Sequence, residues 1–234
     1  MKRLFIFLGA TAIMANAVIA ATSPESLHHS PHQIKRPASI HSHVSSSSNT
    51  RQNLFYKRLI AAALERTSHT VTYDPVYVSI PYPNGDVPDN KGVCTDVVVR
   101  AYRKAGIDLQ KEVHEDMKKH FHLYPNRWGL KQPDPNIDHR RVHNLMTYFK
   151  RKGAALPVTR NPQNYTPGDI VVWKNKKGWA HIGIVINRTS TDGKRPLIVH
   201  NICRGPEIED FLFRWEIIGH YRYSGVKKQY REKL

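Results

Sequence analysis

Apolar residues recur at helical spacing in the first half of the chain and at strand spacing in the second. Residues 53–69 place Leu54, Leu59, Ala62 and Ala63 among charged positions and predict a helix. Residues 70–92 carry four prolines and two glycines, which predicts an extended loop with one short strand near residues 76–80. Val97, Val98, Ala101, Tyr102 and Ala105 then mark one face of a helix that stops at Gly106. Residues 109–125 read as a second, more polar helix. Residues 138–153 read as a third, with Asp138 as N-cap and Gly153 as terminator. After that the pattern changes. "PGDIVVWKN", "GWAHIGIVINR", "RPLIVHNIC" and "IIGHYRY" are short runs rich in Val, Ile and aromatics, separated by "NKKG" and "TDGK". They predict antiparallel hairpins. Helices followed by strands give an α+β domain, with a small sheet packed on the helix that starts near Cys94.

The N-terminal fifth has another character. Lys2 and Arg3 precede an apolar run that ends in small residues, the layout of a secretory signal peptide over residues 1–20. Residues 21–52 are rich in Ser, His and Pro and nearly lack large apolar side chains, so they read as a disordered tether. Its histidines, His28, His29, His32, His41 and His43, fit no defined metal-site spacing. Residues 53–234 suffice for one domain with a core. The expected location is outside the cytoplasm, in the periplasm or cell envelope. No later segment is apolar enough to cross a bilayer.

The formal charge of +17 favours anionic partners. With export, these are cell-wall polymers or anionic lipid surfaces, and nucleic acid is disfavoured. The chain has only two cysteines, Cys94 and Cys203. Cys94 opens its helix, where free N–H groups and the helix dipole lower a thiol pKa and can hold an oxyanion. A cysteine nucleophile needs a base. His181 opens an apolar strand, and His200 ends the next one. Pairing of those strands through residues 187–196 puts the two histidines side by side, so that His200 can orient His181. Asn201 is the alternative orienter, though it points to the other face. Asp96 reads as a helix-end residue only. Three other readings stay open: a Cys94–Cys203 disulfide, with Cys203 otherwise a half-buried free thiol; a zinc site from Cys94, His181 and His200; and a binding protein without turnover.

The set resembles the NlpC-type cell-wall cysteine peptidases, which have a papain-like fold. The resemblance rests on "TPGDIVVW" (Thr166–Trp173), "HIGIV" (His181–Val185) and "VHN" (Val199–Asn201), and spans roughly Lys91 to Gly205. It implies Cys94 as nucleophile, His181 as base and His200 as orienter, with no cofactor. It also implies hydrolysis of an amide bond in peptidoglycan peptides through a thioester. Two departures bear on the substrate: "CTD" stands where those enzymes usually have "CSG", and a large helical insert lies between Gly106 and Gly153. Over more of its length the chain resembles an exported bacterial family catalogued as domain of unknown function 1287. The shared stretches include "GVCTDVVVRAYRKAGIDLQ", "NIDHRRVHNL" and "GPEIEDFLF". Arg140 and Arg141 are candidates to grip substrate carboxylates, because guanidinium matches carboxylate in a two-point contact. Trp179 is a candidate cleft wall or a packing residue. His114, Glu115 and Asp116 read as a water-facing cluster, and Glu209 and Asp210 as turn and strand-start residues.

Overall fold

The computed structural model describes residues 40–225, with side chains from residue 49 onward. The signal peptide expected at residues 1–20 and the first part of the tether lie outside these residues. Helix α1 runs Ile40–Arg66, so residues 40–52 are helical where a disordered tether was expected. Phe55, Tyr56, Leu59, Ile60, Ala62 and Ala63 bury the C-terminal half of α1 and anchor it. Once that half is fixed, each further residue gains a backbone hydrogen bond without a new nucleation cost. The last carbonyls of α1 are closed by Thr67 Oγ1 on Leu64 O and Ser68 Oγ on Glu65 O.

The expected strand near residues 76–80 does not form. Instead β1 (Thr72–Tyr73) pairs in parallel with β2 (Lys91–Gly92). The intervening loop is held by side chains. Ile80 N donates to Asn136 Oδ1 at 3.0 Å, and Arg100 and Arg103 both donate to Asp86 Oδ2, at 3.0 and 2.7 Å. Arg100 also caps Val87 O and Pro88 O, and Arg103 caps Gly85 O. Loop carbonyls that no strand can pair therefore find donors on the next helix, which is why Arg100 is buried.

Helix α2 (Cys94–Lys104) follows, then α3 (Leu109–His120) and α4 (Val142–Arg151). Asp138 does not cap α4; it starts a short 3₁₀ turn, Asp138–Arg140, and its Oδ2 accepts from Asp134 N at 2.6 Å. Arg141 holds the N-cap position instead. His114 and Asp116 are buried rather than water-facing. Asp116 receives Arg151 Nε at 2.6 Å, Tyr124 Oη at 2.8 Å and Lys152 Nζ at 3.2 Å, and so ties α3 to α4.

The strands β3 (Ile170–Lys174), β4 (Ala180–Thr189), β5 (Pro196–Asn201), β6 (Pro206–Glu209) and β7 (Glu216–Tyr221) form one sheet, in the order β6-β5-β4-β3-β7. Every neighbouring pair in it is antiparallel. Ile170, Val172, Ile182, Ile184 and Val199 face the helices and meet Leu59, Val98, Tyr102 and Phe149. Val171, Trp173, Val185 and Ile198 face the other way, against Tyr165, Phe211 and Leu212. Burial on both faces explains why "IVVW" and "HIGIVI" are continuous apolar runs rather than alternating ones. In "PGD", Gly168 has φ +93°, and a Cβ there would lie 2.6 Å from the Tyr56 ring. The buried Asp169 receives His220 Nε2 at 2.9 Å and Arg222 Nη1 at 2.6 Å, which binds the start of β3 to β7. Among the described residues no helix is long and apolar enough to cross a membrane.

Candidate active site

Cys94 is placed by the corner between β2 and α2. Asp96 Oδ2 accepts from Val93 N at 2.6 Å and closes the first turn. Arg140 grips the same carboxylate, Nε on Oδ1 at 2.9 Å and Nη2 on Oδ2 at 3.0 Å, with both side chains buried. Arg140 also donates to Val76 O and Asp74 O. Its donors are thus spent on the fold, and Arg140 is not the substrate clamp expected from the sequence. Asn201 points to the helix side of the sheet, where Nδ2 reaches Gly92 O at 3.5 Å and Oδ1 accepts from Gly205 N at 3.2 Å. It fixes the corner and does not orient a histidine.

The Cys94 sulfur meets the Tyr73 hydroxyl and the backbone N–H groups of Ile182 and Thr95. All three favour a thiolate, yet burial outweighs them and pushes the thiol up to about 11. This corrects the expectation of a lowered thiol pKa. The helix-end effect acts at the first turn, but a sulfur removed from water loses more by desolvation than the dipole returns.

Ile182 immediately follows His181, so Cys94 lies against the start of β4. The His181 ring packs among Trp173, Phe211 and Trp215, with centroids 5.9, 5.6 and 5.7 Å away. Its Nε2 stands 2.8 Å from His200 Nδ1. The expected juxtaposition of the two histidines is therefore present. Gly183 makes it possible: a Cβ there would come 2.7 Å from Ile198 Cγ2 and 2.9 Å from Val199 O. The room that glycine leaves is taken by β5, which carries His200. His200 is fully buried, and its Nε2 lies 3.0 Å from Glu209 Oε2, off the line of a good hydrogen bond. Burial, then repulsion from His200, pushes His181 down to about 3. Burial pushes His200 down to about 4. Both rings are neutral at pH 7. When His200 carries its hydrogen on Nε2, on the Glu209 side, His200 Nδ1 is the acceptor and His181 Nε2 the donor. His181 Nδ1 then carries a free lone pair. Among the described residues no hydrogen bond joins Cys94 to His181 in this resting arrangement.

Sequence reasoning missed two contributors. Tyr73 lies in the proline-rich loop, and only the β1–β2 pairing brings it to Cys94. Glu209 sat in the quoted "GPEIEDFLF" but was taken for a turn residue; β6 pairs with β5 and carries it to His200. A period-two reading of "PEIE" was the available signal. Arg204 and Arg214 flank Glu209 at 3.4 and 3.5 Å.

The remaining candidates are dispersed. Arg141 stacks its guanidinium 3.9 Å over the Trp128 ring, on the α3–α4 side. Trp179 is 72% exposed in the β3–β4 turn, so it does not pack on the sheet. Trp215, not singled out from the sequence, is the tryptophan beside His181 together with Trp173. Cys203 is exposed rather than half-buried, has φ +81° and is a free thiol, as is Cys94. Among the described residues no three His, Cys, Asp or Glu side chains converge as a metal-ligand set.

Comparison with known proteins places the chain. A protein of Escherichia coli (strain K12), described as "Uncharacterized protein YijF", is 49% identical over 192 residues, covering 82% of this chain and 91% of that protein. The domain of unknown function DUF1287 matches residues 60–223, from the buried half of α1 to the end of the sheet. The match contains Tyr73, Cys94, His181, His200 and Glu209, and the chain belongs to the DUF1287 family.

Proposed function

We propose that the protein is a cysteine hydrolase of papain-like, NlpC-type architecture that cleaves an amide bond in peptidoglycan peptides of the cell envelope. One observation carries the reading. The His181–His200 contact, with Glu209 beside it, allows a tautomer that leaves His181 Nδ1 as a proton acceptor, one residue from the amide that touches the Cys94 sulfur. The His181 ring lies with Trp173 and Phe211 on the sheet face away from the helices and the Cys94 sulfur on the helix face, so general-base attack requires His181 to reach the thiol around the start of β4.

The neutral resting state sets the order of events. The thiol proton moves to His181 as the sulfur attacks the carbonyl carbon, rather than beforehand. The imidazolium so formed is stabilised through His200 by Glu209. The developing charge on sulfur is met by Tyr73 and the Ile182 and Thr95 amides. His181 then gives its proton to the leaving amine, and water cleaves the thioester. The export expected from the N-terminal sequence and the +17 charge support an anionic wall polymer as the encounter surface. The test is digestion of purified sacculi, with mass spectrometry of the released fragments. New fragments that appear with wild type and vanish with Cys94→Ala support the reading; identical, fragment-free digests refute it.

A wall-binding protein without turnover is the second reading. The raised thiol, the depressed imidazoles and the missing Cys94–His181 hydrogen bond favour it. Sedimentation with sacculi that survives Cys94→Ala, with no cleavage by either form, is its expected signature.

A further inference from the structure

A cavity of about 240 Å³ lies between α3, the segment after it and α4, apart from the Cys94 site. Its walls are largely apolar: Met117, Phe121, Tyr124, Trp128 and Leu130. Four polar side chains line it as well, His122, Asn126, Asp138 and Asn144. Asp138 is 0% exposed and Asn144 is 1% exposed. Each has a buried oxygen, Asp138 Oδ1 and Asn144 Oδ1, that no protein donor meets.

The other polar atoms of this pair are used. Asp138 Oδ2 accepts from Asp134 N at 2.6 Å, and Asn144 Nδ2 donates to Asp138 O at 3.1 Å. The spare capacity is therefore acceptor capacity only. Arg141 is the protein cation that acts on the carboxylate, and it does so through space only. Arg141 is stacked on Trp128 and makes no ion pair with Asp138. His114 Nδ1 is 3.5 Å from Asp138 Oδ2, and burial favours its neutral form. Burial pushes the Asp138 carboxyl up to about 7, and its unpaired oxygen is best met, in the carboxylate form, by a donor that carries positive charge. The aromatic walls suit a cation with a short apolar body.

We infer that this cavity is a binding site for a small primary ammonium compound, with its –NH₃⁺ group on Asp138 Oδ1 and Asn144 Oδ1 and its carbon chain against Trp128, Phe121 and Leu130. Three donors on one nitrogen can serve both oxygens. The cavity has room for a chain of a few carbons. Arg141 stacks on Trp128, one of the wall residues, and makes no ion pair with Asp138. Nothing in this assignment depends on what Cys94 does.

The probe is n-butylammonium chloride, titrated into the full chain in a calorimeter at constant ionic strength, with n-butanol as the neutral isostere. Saturable one-site binding is expected, with n-butanol roughly tenfold or more weaker. Asp138→Asn can keep the Asp134 contact while turning an NH₂ into the cavity, and should weaken butylammonium by a similar factor. Leu130→Trp fills the cavity from its edge without touching the two oxygens. It should abolish binding in a protein with wild-type circular dichroism, and it decides the matter if Asp138→Asn does not fold. Three outcomes would overturn the assignment: no saturable heat with wild type, equal binding of n-butanol, or binding unchanged in Leu130→Trp. In each the cavity holds only water.

Discussion

Alkylation of Cys94 by iodoacetamide should be slow at neutral pH and should climb steeply into the alkaline range. The perturbation is pH itself, applied to a Cys203→Ser background so that a single thiol reports. With the thiol pushed up to about 11, only about 10⁻⁴ of it is thiolate at pH 7, against about 3% for an ordinary thiol near 8.5. That is a roughly 300-fold smaller reactive population. A more basic thiolate is also a better nucleophile; a Brønsted slope of about 0.4–0.5 over 2.5 units returns a factor of about 10–20. The net expectation is labelling about 20-fold slower than a free thiol at pH 7, and slower still because the sulfur must be uncovered. The rate should rise about tenfold per pH unit to near pH 10. Intact mass against time, from pH 6 to 10.5, measures it. Tyr73→Phe removes a donor to the thiolate and should slow labelling at pH 9 by a further factor of about 3–10. Labelling at pH 6–7 as fast as a free thiol, and slowed by His181→Ala, would refute the argument. It would mean that a thiolate–imidazolium pair is already present at rest and that burial does not control the sulfur.

Other consequences are separately measurable. If the proposed hydrolase is confirmed on sacculi, His181→Ala should lower its rate by about 10²–10⁴ with fragment identity unchanged, and Glu209→Gln should lower it less, since it acts through His200. Gly183→Ala places a Cβ against Val199 O and Ile198, and should cost about 1–3 kcal/mol in urea unfolding. Arg140→Ala leaves Asp96 buried without its partner, and should cost about 3–5 kcal/mol by the same measurement. His181 titrates far lower in the fold than in the unfolded chain. Between about pH 6.5 and 3 the unfolded state therefore binds more protons, and stability falls as pH falls. At pH 5 this amounts to about 2 kcal/mol, so His181→Phe, which suits the aromatic pocket, should lose about that much less than wild type between pH 7.5 and 5. Equal losses in the two proteins would count against a buried neutral imidazole.

The linear pattern alone determined a good part of this protein. Four helical segments and the β4–β5 hairpin were legible because each buries a face whose period matches its own backbone geometry. Cys94 at a helix start and the approach of His200 to His181 followed from the same local rules. The course of α1 through Ser-rich residues was not legible, because its support comes from a half that packs elsewhere. The β1–β2 pairing was hidden as well, since two-residue strands have no period to read. Tertiary structure alone decided the chemistry of the site. Solvent exclusion, not helix position, governs the Cys94 thiol. A hairpin partner, not sequence proximity, brings Glu209 to His200. The buried carboxylate of Asp96 claims Arg140, which in sequence looked like a free hand. Desolvation and countercharge act through space, and a sequence lists neighbours only along the chain.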